Sequence, residues 1–110
     1  MDSPIANISA IATLLEQSNA AVATNLPLAR QLAEAALTRS AENSLDYAQS
    51  ISLVGMCLFH EGQYQTALAT LLKAIALFGK AEDKWLVLAY YNLGICYHQL
   101  NLYTEATEAH

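Results

Sequence analysis

Charge is scarce in this chain. Asp, Glu, Lys and Arg make up 14% of the 110 residues, and only five are basic, against ten acidic ones. The basic residues are scattered and the net charge is −5. A nucleic-acid-binding surface needs a basic stripe, so nucleic acid is excluded as the expected partner. The two cysteines are too few for a disulfide framework. With two prolines and four glycines, the chain has few positions that force a turn, which leaves room for long helices. Hydrophobic residues reach 55%, yet no apolar run is long enough to cross a bilayer. The start, Met1-Asp2-Ser3-Pro4, lacks the basic flank of a secretory signal. One domain in the cytoplasm, with no membrane partner, is the expectation.

What the chain does have is a repeat. Ser52-Leu53-Val54-Gly55-Met56-Cys57-Leu58 aligns with Tyr91-Asn92-Leu93-Gly94-Ile95-Cys96-Tyr97, and Gly62 to Ala67 aligns with Asn101 to Ala106, all at an offset of 39 without a gap. A fixed period in this range indicates stacked helical hairpins. A glycine inside a helix costs about 1 kcal/mol relative to alanine. Gly55 and Gly94 at equivalent mid-helix positions therefore suggest close contact with a neighbouring helix. Ala67, Ala74 and Ala106 suit the same packing role, with larger apolar residues filling the space between them.

One copy carries Tyr90, Leu93, Gly94, Tyr97, Tyr103 and Ala106; the other carries Ile51, Val54, Gly55, Leu58, Gly62, Tyr64, Ala67, Leu71 and Ala74. This pattern resembles the tetratricopeptide repeat family over about 60 residues. Asn101 departs from it by replacing the turn glycine, although asparagine also reaches left-handed conformations. The period is also longer than the family's usual one of about 34. The resemblance implies an all-α fold, an α-α superhelix of about three antiparallel hairpins with the last truncated. The expected divisions are a degenerate first repeat over 1–42, a second over 43–81 and an incomplete third over 82–110.

In chain order, Asp2 or Ser3 caps a helix containing Pro4, with Ile5, Ile8, Ile11, Leu14 and Leu15 at helical spacing to about Ser18. Residues 19–24 read as a connection. Asn25 caps a second helix, Leu26 to Ser40, with an Arg30–Glu34 pair outside. Asn43 or Ser44 opens a third, ending at His60. A fourth runs from Tyr64 to Phe78 and stops at Gly79. Asp83 caps a fifth, Lys84 to Gln99, followed by a turn at Leu100-Asn101 and a sixth helix from Leu102. Shifting Gly55 back by the period gives Glu16, so the first repeat lacks the glycine, whereas Ala29, Ala33 and Ala36 keep the spacing of Ala67, Leu71 and Ala74 within one residue. A finished solenoid carries a polar capping helix. None follows the sixth helix, so the chain reads either as part of a longer protein or as one that completes itself by self-association.

The resemblance also implies a groove lined by first helices. Its positions fall on Gln49, Ser52, Met56, Phe59 and His60 in the second repeat, on Leu88, Tyr91, Ile95, His98 and Gln99 in the third, and on Thr13 and Gln17 in the first. Such a surface suits an amphipathic helix or extended apolar peptide; packing inside the solenoid is the alternative for Met56, Phe59 and Ile95. The groove positions hold no Lys or Arg, so the chaperone carboxylate clamp of some relatives is not expected. Tyr97 belongs with the glycines and alanines as a packing residue.

Catalytic and metal chemistry find little support. Cys57 with His60 and Cys96 with His98 could be read as zinc ligands, but residues two apart on a helix do not share a face. The cysteines sit where the repeat calls for a small buried group. Glu105, Glu108 and His110 read as a solvated face, and no phosphate loop or nucleophile elbow is present. No catalytic residue, cofactor or metal is expected. The functional expectation is a protein–protein interaction module. The long period and the charge-rich Phe78-to-Trp85 linker are similar to repeat tracts ahead of output domains in bacterial signalling proteins such as diguanylate cyclases, where the module senses or dimerises. The alternative expectation is a structural unit whose partner is itself, as a homodimer.

Overall fold

The computed structural model describes the backbone of residues 4–108 and the side chains of residues 10–102. Among the described residues there are five α-helices and no strand: α1 (Pro4–Ala21), α2 (Leu26–Arg39), α3 (Leu45–His60), α4 (Tyr64–Phe78) and α5 (Lys84–Glu108). They stack in two layers. α1, α3 and α5 form one layer, and α2 and α4 the other. α3 is the spine, packing against all four other helices, while α2 and α4 do not meet. The radius of gyration, 14.8 Å, exceeds the ~13 Å of a compact chain this long, as a short solenoid should.

Local chemistry explains most helix ends. Asn25 Oδ1 accepts from Leu28 N at 3.1 Å, and Ser44 Oγ from Tyr47 N at 3.1 Å, so each caps the helix that follows it. Asn43 precedes that second cap at φ 61, showing that asparagine takes the left-handed conformation in this chain. Gly62 at φ 85 makes the α3–α4 turn, and Gly79 at φ 60 ends α4. Asp83 Oδ1 accepts from Trp85 N at 2.8 Å and starts α5.

Two expected boundaries need correction. α1 runs on to Ala21 rather than stopping near Ser18. The alanines there are strong helix formers, and the buried Ser18 hydroxyl donates to Ala29 O at 2.7 Å, tying this last turn to α2. The turn at Leu100-Asn101 does not form, and the expected fifth and sixth helices are one 25-residue helix. Asn101 stands where the earlier turn has glycine. Turning there would force a non-glycine residue out of αR and forfeit ladder hydrogen bonds that the continuous helix keeps. The expected Asp2 or Ser3 cap, His110, and the side chains of Ile5, Ile8, Tyr103, Glu105, Ala106 and Glu108 lie outside the described residues.

The main core joins Ile11 and Leu15 of α1, Ala33 and Ala36 of α2, Ala48, Ile51, Leu53 and Met56 of α3, Ala74 and Phe78 of α4, and Trp85 of α5. Ala29, Ala33 and Ala36 are completely buried, as are Ala67, Leu71 and Ala74, so the second helices present equivalent small-residue seams. Gly55 is pressed against α4: a Cβ added there would lie 2.9 Å from Leu71 Cγ and Cδ2. Gly94 lies in the open, with nothing within 4 Å of an added Cβ. Tyr97, expected to pack, is also exposed, because none of the described helices covers that side of α5. On the rim, Arg30 Nη1 donates to both Glu61 carboxylate oxygens at 2.9 Å and Nε to Glu34 at 2.8 Å. These carboxylates, Glu61 foremost, raise the Arg30 pKa above its ordinary value.

Candidate peptide-binding groove

The expected groove residues lie on the α1–α3–α5 layer. On α3 they share one face, opposite a slot of about 320 Å³ that opens between α2 and α4 over Tyr47, Ile51 and Val54. The α3 positions are not equally reachable. Ser52 and Met56 are each only 3% exposed. Met56 belongs to the main core, and Ser52 donates to Gln49 O at 2.6 Å. Gln49 is half-buried and donates through Nε2 to Asp83 Oδ2 at 2.7 Å. One carboxylate thus caps α5 and pins α3. Phe59 is half-buried and forms an aromatic cluster with His60, edge to face at 5.0 Å, and Tyr64, tilted at 5.6 Å. Beside this cluster a hollow of about 540 Å³ lies between the Gly62–Thr66 turn and Leu100.

On α5, Leu88, Ile95 and Gln99 are half-buried, while Tyr91 and His98 are exposed; on α1, Thr13 and Gln17 are exposed. The half-buried members of the expected groove are thus Gln49 and Phe59 on α3 and Leu88, Ile95 and Gln99 on α5.

Asn92 is a residue the sequence reasoning missed. It is 4% exposed, and among the described residues its Nδ2 is the one buried side-chain nitrogen or oxygen without a hydrogen-bond partner. An unpaired buried donor costs about 1–3 kcal/mol. Asn92 lies one helical turn from both Leu88 and Ile95. The repeat held the signal: Asn92 aligns with the buried Leu53, so a polar residue occupies a position built for an apolar one.

The titratable groups are poorly suited to catalysis. Burial pushes the Cys57 thiol up to about 11, against a hydrogen bond with Ser18 that works the other way. Burial also raises Cys96 and lowers His60. A thiol held protonated is a poor nucleophile and a poor metal ligand. Among the described residues, no three His, Cys, Asp or Glu side chains are grouped to hold a metal ion, and no helix is long and apolar enough to cross a membrane.

A family model, tetratricopeptide repeat, matches residues 46–110, from the start of α3 onward. No curated protein and no solved structure gives a significant match to the chain. The matched span covers more than half of the chain and contains both copies of the internal repeat, so the chain belongs to the tetratricopeptide repeat family.

Proposed function

We propose that this domain binds a peptide segment of another protein along the α3–α5 strip. Tetratricopeptide repeats generally mediate protein–protein interaction, which gives the class of function. The observation that supports the site is the unpaired amide of Asn92. The amide is closed off in the free domain, so a peptide carbonyl satisfies it only where binding parts the side chains over it. Leu88, Ile95 and the Phe59 cluster would take apolar side chains on either side. The strip carries no Lys or Arg, so the favoured ligand is neutral and apolar rather than a free carboxylate terminus.

The test is selection of short displayed peptides on the wild-type domain, followed by affinity measurement on Asn92→Leu and Phe59→Ala. Loss of a hydrogen bond from a buried donor should weaken binding about 5- to 30-fold in Asn92→Leu. The same change should raise the stability of the free domain, because it removes an unsatisfied group. Selected peptides that bind both variants as tightly as wild type would place the site elsewhere.

We further infer that the domain acts as the sensory or dimerising part of a bacterial signalling protein, with an output domain such as a diguanylate cyclase after residue 110. The 39-residue period and the charged linker support this reading. Reading the coding sequence beyond His110 tests it; the absence of any output domain there would refute it.

A further inference from the structure

The largest unexplained surface lies on α5. Val87 is 70% exposed, Tyr91 65%, Tyr90 54%, and Tyr97 and Leu102 47% each. Gly94 sits among them with open space before it. The repeat shows how unusual this is. The equivalents of Val87, Tyr90, Tyr91, Gly94 and Tyr97 are Ala48, Ile51, Ser52, Gly55 and Leu58 of α3, all buried, whereas Gln63, the equivalent of Leu102, is exposed. The positions that α3 covers with its neighbours are left uncovered on α5.

We infer that this face is a two-fold interface: two copies of the chain pair through antiparallel α5 helices that cross at Gly94. Three observations favour a second copy over another occupant. First, the face is partly symmetric about Gly94, with a tyrosine three residues to either side, Tyr91 and Tyr97. Tyr90 and His98 lie four to either side, and Val87 and Asn101 seven, with Leu102 next to the last. An isologous contact needs such self-complementarity, because each residue meets its counterpart from the other copy. Tyr91 of one copy meets Tyr97 of the other, the ring pairs flank the axis, and glycine at the crossing lets the backbones approach closely.

Second, the area suffices. Three tyrosines about half exposed, with Val87 and Leu102, offer roughly 500 Å² per copy. Two copies reach about 1,000 Å², and the surrounding rim brings the total to the lower limit of specific interfaces. Third, no charged residue lies between Val87 and Tyr97, so two chains of net charge −5 meet without like charges in the contact.

The face shares Tyr91 and His98 with the expected groove, whereas Gly94, Tyr90 and Tyr97 are not groove positions. Light scattering over a dilution series of the 110-residue chain should give a mass that rises from 11.9 kDa to twice that value. Pairing should be weak, with a dissociation constant on the order of micromolar, and should tighten as salt screens the net charge. Gly94→Glu should remain a monomer throughout with unchanged helicity, since the free chain has space for the side chain. If that variant loses helix, Tyr97→Lys replaces it as the test. Mixing Tyr91→Cys with Tyr97→Cys chains under mild oxidation should cross-link the two variants to each other in preference to themselves. Cys57 and Cys96 stay out of that reaction because both are buried. A wild type that stays monomeric at millimolar concentration would overturn the proposal. So would a dimer that survives both Gly94→Glu and Tyr97→Lys, or self-linking of each cysteine variant.

Discussion

Gly55 and Gly94 occupy the same place in the repeat, and the same substitution should act on them with opposite sign. Replacing a mid-helix glycine by alanine removes backbone freedom from the unfolded chain and stabilises a helix by about 0.4–1 kcal/mol where the new methyl fits. At Gly94 nothing lies within 4 Å of the added Cβ, so Gly94→Ala should gain that amount. At Gly55 the methyl would sit 2.9 Å from Leu71 Cγ and Cδ2 and 3.4 Å from its backbone nitrogen. Leu71 is fully buried, so the strain passes to α4. Overpacking of this kind costs about 1–3 kcal/mol. After the helix gain is subtracted, Gly55→Ala should be neutral to about 2 kcal/mol destabilising. The two variants should therefore differ by about 1–3 kcal/mol, a separation of roughly 5–15 °C in Tm for a domain this small. Urea and thermal melts followed by circular dichroism measure this, run dilute enough that self-association does not add concentration-dependent stability. Equal stabilisation in the two variants would refute the reasoning, since it would mean that α3 and α4 are not in close contact at Gly55.

Ser18→Ala removes a buried hydroxyl that donates across to α2, and should lower stability by about 1–2 kcal/mol in urea titrations. The thiols offer a different readout: Cys57 and Cys96 are buried, so reaction with a disulfide reagent should be slow in the native domain and become fast once denaturant is added. The folded Cys57 thiol ionises near 11 rather than 9.0. The unfolded chain therefore releases its proton first, and stability should fall as pH rises from about 9 towards 11. Cys57→Ala should flatten that part of the pH–stability curve.

How much of this was legible in the sequence depended on how strongly each residue constrains its own backbone. α4 could be bounded because Gly62 and Gly79 both take positive φ and glycine announces that geometry. The end of α1 could not, since Ala20 and Ala21 favour helix without favouring a face. Asn101 matched a turn in the repeat alignment, but asparagine turns or stays helical according to its surroundings. Asn43 turns, and Asn101 does not. In the groove, the family resemblance placed Phe59 and Leu88 on first helices, and both are half-buried there. It left open whether Met56 packs inside the solenoid, where the structure buries it in the main core. Asn92 was legible only by asking which repeat position changes polarity, not which residues look reactive.

The uninterrupted α5 has a mechanical consequence. Twenty-five helical residues make a rod about 37 Å long, and a tilt of about 5° at one end sweeps the other through roughly 3 Å. The near end of that rod is anchored by the buried Trp85, by the Lys84–Glu16 ion pair and by Asp83, which also grips Gln49 on α3. With that end fixed, a small tilt of α5 shows as a larger displacement of its far end.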